Sequence, residues 1–176
     1  MNREMSNKHK GNSRVAPETL ILTKGGHKRI DQLLGKSIEI WNGNEWSIVK
    51  CEKTGENKRI INVILDDGSS LSCTPHHEFY VDKDNWCWSS DPESNKESDI
   101  IKVKALNLKP GDKVRKYTIN HTNDYQYASL MRVQEIINEN RVDDTYYVNE
   151  PIRHAAIFNG ILTSAGESPN NVGDDR

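Results

Sequence analysis

The sequence predicts an all-β domain, and three observations carry that prediction. β-branched and aromatic residues gather in short runs, such as Leu20-Ile21-Leu22-Thr23, Ser37-Ile38-Glu39-Ile40-Trp41 and residues 59–65. Turn signals rich in Gly, Asn, Asp and Pro separate these runs at spacings of roughly 8–12 residues, the rhythm of all-β folds. No segment keeps a 3.6-residue apolar period for as long as three helical turns. Hydrophobic residues make up only 34% of the 176, so the sheets are expected to be long, bent and partly two-sided.

Residues 1–13 are polar and without period, and are expected to form a flexible arm; residues 166–176 are expected to form a second one. Ordered structure should begin around Val15-Ala16-Pro17-Glu18-Thr19 and run into the β segment 20–23, followed by a Gly25-Gly26 turn. Asp31-Gln32-Leu33-Leu34-Gly35 is long enough for one helical turn, with Asp31 as N-cap and Gly35 as stop. The strand 37–41 meets Asn42-Gly43, a pair that favours a type I′ turn, and a partner strand over 46–53. Beyond Thr54-Gly55, residues 59–65 are strongly β, and Asp67-Gly68 offers a hairpin turn into a strand over 71–81. Residues 89–99 carry almost nothing apolar and are expected to be a surface loop, the least ordered internal segment. A short strand over 101–106, a Lys109-Pro110-Gly111-Asp112 turn and a strand over 114–119 follow. Residues 131–138 and 145–148 read as a strand pair joined by a connection that begins Glu139-Asn140-Arg141. The last ordered piece, 153–163, holds two β segments around an Asn159-Gly160 turn.

Composition narrows the function classes. Net charge is −2 with a pI near 6.3, so no nucleic-acid footprint is present. No apolar run approaches the ~20 residues of a membrane span, and the N-terminus lacks a signal-peptide core. Cys51, Cys73 and Cys87 are odd in number and follow no ligand spacing, which indicates neither a disulfide framework nor a zinc site. A single cytoplasmic domain without metal or cofactor, monomeric and away from membranes and nucleic acids, is the expectation.

The most informative stretch is Leu71-Ser72-Cys73-Thr74-Pro75-His76-His77-Glu78-Phe79. Thr74 and His77, three apart at a strand end, can together grip one backbone amide: the hydroxyl and a ring nitrogen hydrogen-bond its carbonyl, and the imidazole passes a proton. Taken alone, the spacing also fits a turn threonine beside surface histidines. Cys73 reads as a core thiol and His76 as solvated on the opposite strand face. Trp86 and Trp88 should cover one face of a strand. His27 and His121 sit in polar turns and receive no role.

Several ordered motifs resemble those of a known family. Residues 15–23 resemble the first block of inteins, and Asp66 to Phe79, a Gly turn followed by Cys-Thr-Pro-x-His-x-Phe, resembles the second. Ala105-Leu106-Asn107-Leu108-Lys109-Pro110-Gly111-Asp112-Lys113-Val114 resembles a further segment of that family, and 145–162 the late block with Asn149-Glu150-Pro151-Ile152-Arg153-His154 and Phe158-Asn159-Gly160. Over about residues 14–166 the chain thus resembles an intein of the Hint (hedgehog/intein) fold. The likeness is greatest to endonuclease-free mini-inteins of viral ribonucleotide reductase large subunits. The resemblance implies a flattened horseshoe of bent β-hairpins spanning residues 14–165, with the two flanking segments as its partners in cis. It also implies protein splicing, an intramolecular acyl transfer in which Thr74 and His77 activate the upstream amide and His154 assists at the downstream one.

Laid on this sequence, the family's reacting positions are occupied by other residues. Arg14 stands at the nucleophile, Ala165 at the terminal Asn and Gly166 at the acceptor, with Ser164 at the penultimate place and Tyr147 where Cys or Asp is common. A guanidinium, a methyl group and a hydrogen atom cannot perform these steps, so the expected chain is inactive in splicing. Ser13, one residue upstream, supplies a hydroxyl in an alternative register. The competing readings are an all-β binding module with an incidental Thr-x-x-His, and a Hint-type domain that cleaves without ligating. The intein reading expects residues 14 and 165 in one site, His77 and Thr74 at the Ser13–Arg14 peptide, and His154 near the Ala165–Gly166 bond.

Overall fold

The computed structural model describes residues 13–82, 100–118 and 128–166. The expected loop over 89–99, the Trp86/Trp88 pair, Cys87, His121 and the two polar arms beyond Ser13 and Gly166 lie outside these residues. Among the described residues the chain is all-β, and its helical elements are two single 3-10 turns, Ile30–Leu33 and Ala105–Asn107. No helix there is long and apolar enough to cross a membrane.

Among the described residues eleven strands follow in chain order: β1 (Leu20–Thr23), β2 (Gly26–Arg29), β3 (Ser37–Trp41), β4 (Trp46–Leu65), β5 (Ser70–Cys73), β6 (Glu78–Asp82), β7 (Ile100–Lys104), β8 (Lys113–Tyr117), β9 (Ala128–Val148), β10 (Ala155–Phe158) and β11 (Ile161–Ser164). They form one antiparallel sheet in the order β10-β1-β3-β4-β9-β8-β11-β6-β7, with β2 on β1 and β5 on β4. Because β10 also pairs with β11 along its whole length, the path turns back on itself and few edges are left open.

Two strands are far longer than the sequence suggests. The runs 46–53 and 59–65 are the two ends of β4, which passes through Thr54-Gly55 without a break. Likewise 131–138 and 145–148 do not pair with each other. Both belong to β9, which runs against β4 from Cys51↔Val148 to Leu65↔Val133 with four register shifts. The polar middles of both strands are exposed, so a two-stranded ribbon crosses solvent there. Its bulges absorb Gly55 and let the ladder bend.

Other boundaries shift for local reasons. Asp31 lies inside its 3-10 turn rather than capping it, and its carboxylate binds the Arg29 guanidinium at 2.8 and 3.1 Å. Asn42-Gly43 is part of a four-residue connection, in which the Asn42 side-chain oxygen accepts the amides of Asn44 and Glu45 (2.9 Å each). The predicted strand 101–106 stops at Lys104, and 114–119 becomes Lys113–Tyr117. Asn159-Gly160 does form the expected two-residue hairpin, with φ of 52° and 83° as a type I′ turn requires.

The core lies between β10, β11 and the strands around them. Every residue of β10 and β11 is buried, which is why Ala155–Phe158 and the start of Ile161–Ser164 are apolar without alternation. Phe79, Phe158, Ile21, Ile40 and Leu71 fill the main cluster, while Leu22, Trp41, Tyr117, Ile157 and Leu162 form a second.

Candidate functional site

The Thr74–His77 stretch is a turn between β5 and β6, so the strand expected over 71–81 is interrupted there. Pro75 supplies no N–H for a ladder and holds Thr74 extended. The His77 amide then donates to the Thr74 carbonyl at 3.1 Å and closes the turn. The Ala105–Asn107 segment supports it from outside: Ala105 N–H donates to the His77 carbonyl at 2.7 Å and Leu106 N–H to that of Pro75 at 3.0 Å. Thus the stretch with the Lys-Pro-Gly-Asp signature buttresses the motif.

Residues 14–16 are threaded between the ends of β5 and β9. Val15 exchanges both backbone hydrogen bonds with Tyr146 (3.0 and 2.9 Å), and Ala16 N–H donates to the Ser72 carbonyl (3.0 Å). The Arg14 carbonyl accepts both the Thr74 amide at 3.0 Å and the Thr74 hydroxyl at 3.3 Å. One residue earlier, the buried Ser13 hydroxyl accepts the Glu78 amide at 3.4 Å.

His77 is fully buried. Its Nε2 lies 2.7 Å from Thr163 Oγ1 in β11, and its ring packs edge-on against Phe79 and Phe158 at 5.5 and 5.9 Å. Burial pushes its pKa down to about 3, so the imidazole is neutral at ordinary pH. Nδ1 makes no hydrogen bond among the described residues. Thr74 and His77 therefore do not grip one amide: the hydroxyl holds the Arg14 carbonyl, one peptide past the Ser13–Arg14 bond, and the imidazole holds Thr163. His76 is exposed, as its position on the far side of the turn implies.

The downstream end arrives at the same place. β11 runs antiparallel to β6 through Thr163↔Phe79, and Ser164 and Ala165 continue buried beyond it. Ser13 on Glu78 and Thr163 on His77 and Phe79 bring both terminal segments to His77-Glu78-Phe79. His154 sits beside Ala165 through its backbone: its carbonyl accepts the Ala165 amide at 2.9 Å and the Tyr80 hydroxyl at 2.9 Å. Its φ of 56° is a left-handed value that histidine tolerates better than most side chains. The Ala165 carbonyl accepts the Glu150 amide at 3.1 Å, and the Ser164 hydroxyl donates to the Gly166 carbonyl at 3.4 Å.

Glu150 is the residue that sequence reasoning passed over. Its buried carboxylate accepts the amides of Ile152 (3.0 Å), Arg153 (2.7 Å) and Ala155 (3.4 Å) and the Asn42 side chain (3.2 Å). Burial alone would raise its pKa, but hydrogen bonds from Ser47, these amides and Asn42 outweigh it and hold the carboxyl below its ordinary range. An acid whose side chain reaches the amides two and three residues on is the local pattern of such a cap.

Neither described cysteine is a ready nucleophile. Burial raises the Cys51 thiol to about 12 and Cys73 further still, so both stay protonated and inert, as expected of core thiols. No group of three or more His, Cys, Asp or Glu among the described residues is placed to hold a metal.

No family model matches the sequence. The large subunit of ribonucleoside-diphosphate reductase from Invertebrate iridescent virus 6 is 40% identical over 119 residues, 64% of this chain but only 12% of that protein's length. Among solved structures, a variant of the Ssp DnaB mini-intein superposes at TM-score 0.70 with 17% identity, covering 90% of this chain and 97% of the mini-intein. The DnaB intein of Synechocystis sp. PCC 6803 gives 0.67 with 18% identity over 88% and 99%. The DnaX mini-intein of Spirulina platensis gives 0.63 with 20% identity over 86% and 99%. The superpositions cover nearly the whole of each of these inteins, and the chain has the all-β Hint fold of the inteins.

Proposed function

We propose that this is an intein-type domain, built for intramolecular acyl transfer between its own flanks and disabled at both reacting ends. The observation that carries the reading is the convergence of Ser13-Arg14 and Thr163-Ser164-Ala165 on the turn and strand start at His77-Glu78-Phe79. A binding module has no use for two terminal segments buried side by side. Splicing requires it, because one acyl group must pass from the upstream junction to the downstream one.

In this reading residues 14–165 are the domain, and residues 1–13 and 166–176 are the flanks it would join. The identity to a segment of a viral reductase supports a ribonucleotide reductase large subunit as the interrupted host. Thr74 fixes the backbone on which the first residue sits, and the neutral imidazole of His77 is the proton carrier beside it. Downstream, the Glu150 amide already lies on the Ala165 carbonyl, where negative charge would build as that bond is attacked. His154 would serve an asparagine amide at 165. What is missing is reactive: Arg14 offers no nucleophile, Ala165 cannot cyclise, and Gly166 cannot accept an acyl group.

The test is the triple variant Arg14→Cys, Ala165→Asn and Gly166→Cys, followed by mass spectrometry. The expected products are an excised domain and a short peptide joining the flanks. An intact mass near 20.1 kDa, unchanged by added thiol in both the triple variant and Arg14→Cys alone, overturns the reading in favour of a binding module.

A further inference from the structure

We propose that Thr163 is a positioning residue that fixes His77 in the Nε2–H tautomer and so leaves Nδ1 as a bare proton acceptor. The geometry of two hydrogen bonds carries this. Thr163 Oγ1 is 2.7 Å from His77 Nε2 and 3.4 Å from the Ser164 carbonyl, and all three groups are buried. A hydroxyl has one proton to give. If it goes to the Ser164 carbonyl, Oγ1 accepts from Nε2–H and every donor in the cluster has a partner. If it goes to Nε2, the ring proton must sit on Nδ1, which has no acceptor among the described residues. A buried N–H without an acceptor is among the costlier defects in a fold. The edge-on contacts with Phe79 and Phe158 hold the ring plane and hinder a flip that would exchange the two nitrogens.

The chemical use of this tautomer rests on the acyl-transfer reading. With Nδ1 bare, His77 must take up a proton before it can deliver one, so it enters the upstream reaction as a base. Thr163 also lies in β11, two residues before Ala165. Seating of the downstream strand therefore sets the proton-transfer state of the upstream imidazole.

Long-range proton–nitrogen correlation spectra of the uniformly 15N-labelled chain read the tautomer directly. The expected His77 pattern is a protonated Nε2 and an unprotonated, pyridine-like Nδ1. Thr163→Val, which keeps the shape and removes the hydroxyl, should mix or reverse the two nitrogens, and Thr163→Ser should restore them. A protonated Nδ1 in the unsubstituted chain overturns the proposal by itself, even if Thr163→Val does not fold. An unchanged His77 pattern in a folded Thr163→Val overturns it as well. In the Arg14→Cys background, Thr163→Val should slow thiol-induced cleavage about tenfold, less than the ~10²–10⁴ expected for losing the imidazole, and Thr163→Ser should recover the rate. Absence of any cleavage in Arg14→Cys counts against the acyl-transfer reading, while the spectra still decide the tautomer.

Discussion

Replacing Gly166 by alanine measures how tightly the downstream junction has closed around a residue without a side chain. Gly166 is buried with φ of +105°, and an ideal Cβ there would lie 2.3 Å from Asn149 Oδ1, 3.2 Å from its Cγ and 3.1 Å from its Cα. Asn149 is exposed, so its amide can swing away for about 0.5–1.5 kcal/mol of rotamer strain. The Cα cannot move without shifting the 149–150 backbone, whose next amide holds the Ala165 carbonyl at 3.1 Å. Weakening that bond costs about 0.5–1.5 kcal/mol, and a side chain at positive φ adds about 1–3 kcal/mol. Gly166→Ala should therefore lose about 2–6 kcal/mol, which at an m-value of about 2 kcal/mol/M lowers the urea midpoint by about 1–3 M. In an Asn149→Ala background the same change should cost about 1 kcal/mol less, since two of the three contacts are gone and the strain remains. A loss below about 0.5 kcal/mol for Gly166→Ala, or an equal loss in both backgrounds, refutes the reasoning. Restoring an acceptor as Gly166→Cys carries the same cost, so ligation should improve when Asn149→Ala accompanies it.

Three further outcomes are expected. In an Arg14→Cys chain, His77→Ala should slow thiol-induced cleavage by ~10²–10⁴, whereas His76→Ala, on the exposed side of the turn, should leave the rate almost unchanged; equal slowing by both, followed by mass spectrometry over time, contradicts the assigned roles. His77 should also make the fold acid-sensitive. Its folded pKa of about 3 lies below the ordinary 6.5, so the unfolded chain binds the proton first. Its contribution is intact above pH ~6.5 and falls by about 1.4 kcal/mol per pH unit between there and ~3; urea midpoints with the same slope in His77→Gln would exclude it as the source. Glu150→Gln should cost about 2 kcal/mol at neutral pH by weakening bonds to a charged acceptor. Because the Glu150 pKa is lowered, its stabilisation is present above the unfolded value and lost as pH falls through the folded one. The two proteins should accordingly converge in stability in acid, and a constant gap would show that charge is not involved.

Local chemistry made part of this molecule legible. Asn159-Gly160 announces its turn because both residues accept positive φ cheaply, and the turn fixes the β10–β11 register with no help from elsewhere. The polar middles of β4 and β9 hid the longest elements, since polarity that marks a loop in a compact sheet is also what an exposed ribbon needs. In the site, Thr74 and His77 were visible as a pair, but Thr163 lies 86 residues from its imidazole partner. No local pattern reports such a contact. Glu150 was hidden differently: its role depends on burial, and a glutamate beside a proline reads as surface until Asn42 and Ser47 are seen to cover it.

Thr74, Glu150 and His77 differ in what the fold itself demands of them. Thr74, Glu150 and the residues around His77 are tied into backbone hydrogen bonds that the fold needs, so they would persist without any reaction. His77 is different. Its Nδ1 is a buried polar atom with no partner among the described residues, and leaving such an atom unpaired costs about 1–3 kcal/mol. An apolar residue between Phe79 and Phe158 would pack there without that cost, and Thr163 could still turn its hydroxyl to the Ser164 carbonyl. Stability alone gives no reason to hold an imidazole bonded through Nε2 only beside residues 13–14 and 163–165. Under the proposed acyl-transfer reading, the imidazole is accounted for by a proton that must move there. In that reading Arg14, Ala165 and Gly166 carry no group that can react, and the residues that would move the proton stand without a substrate.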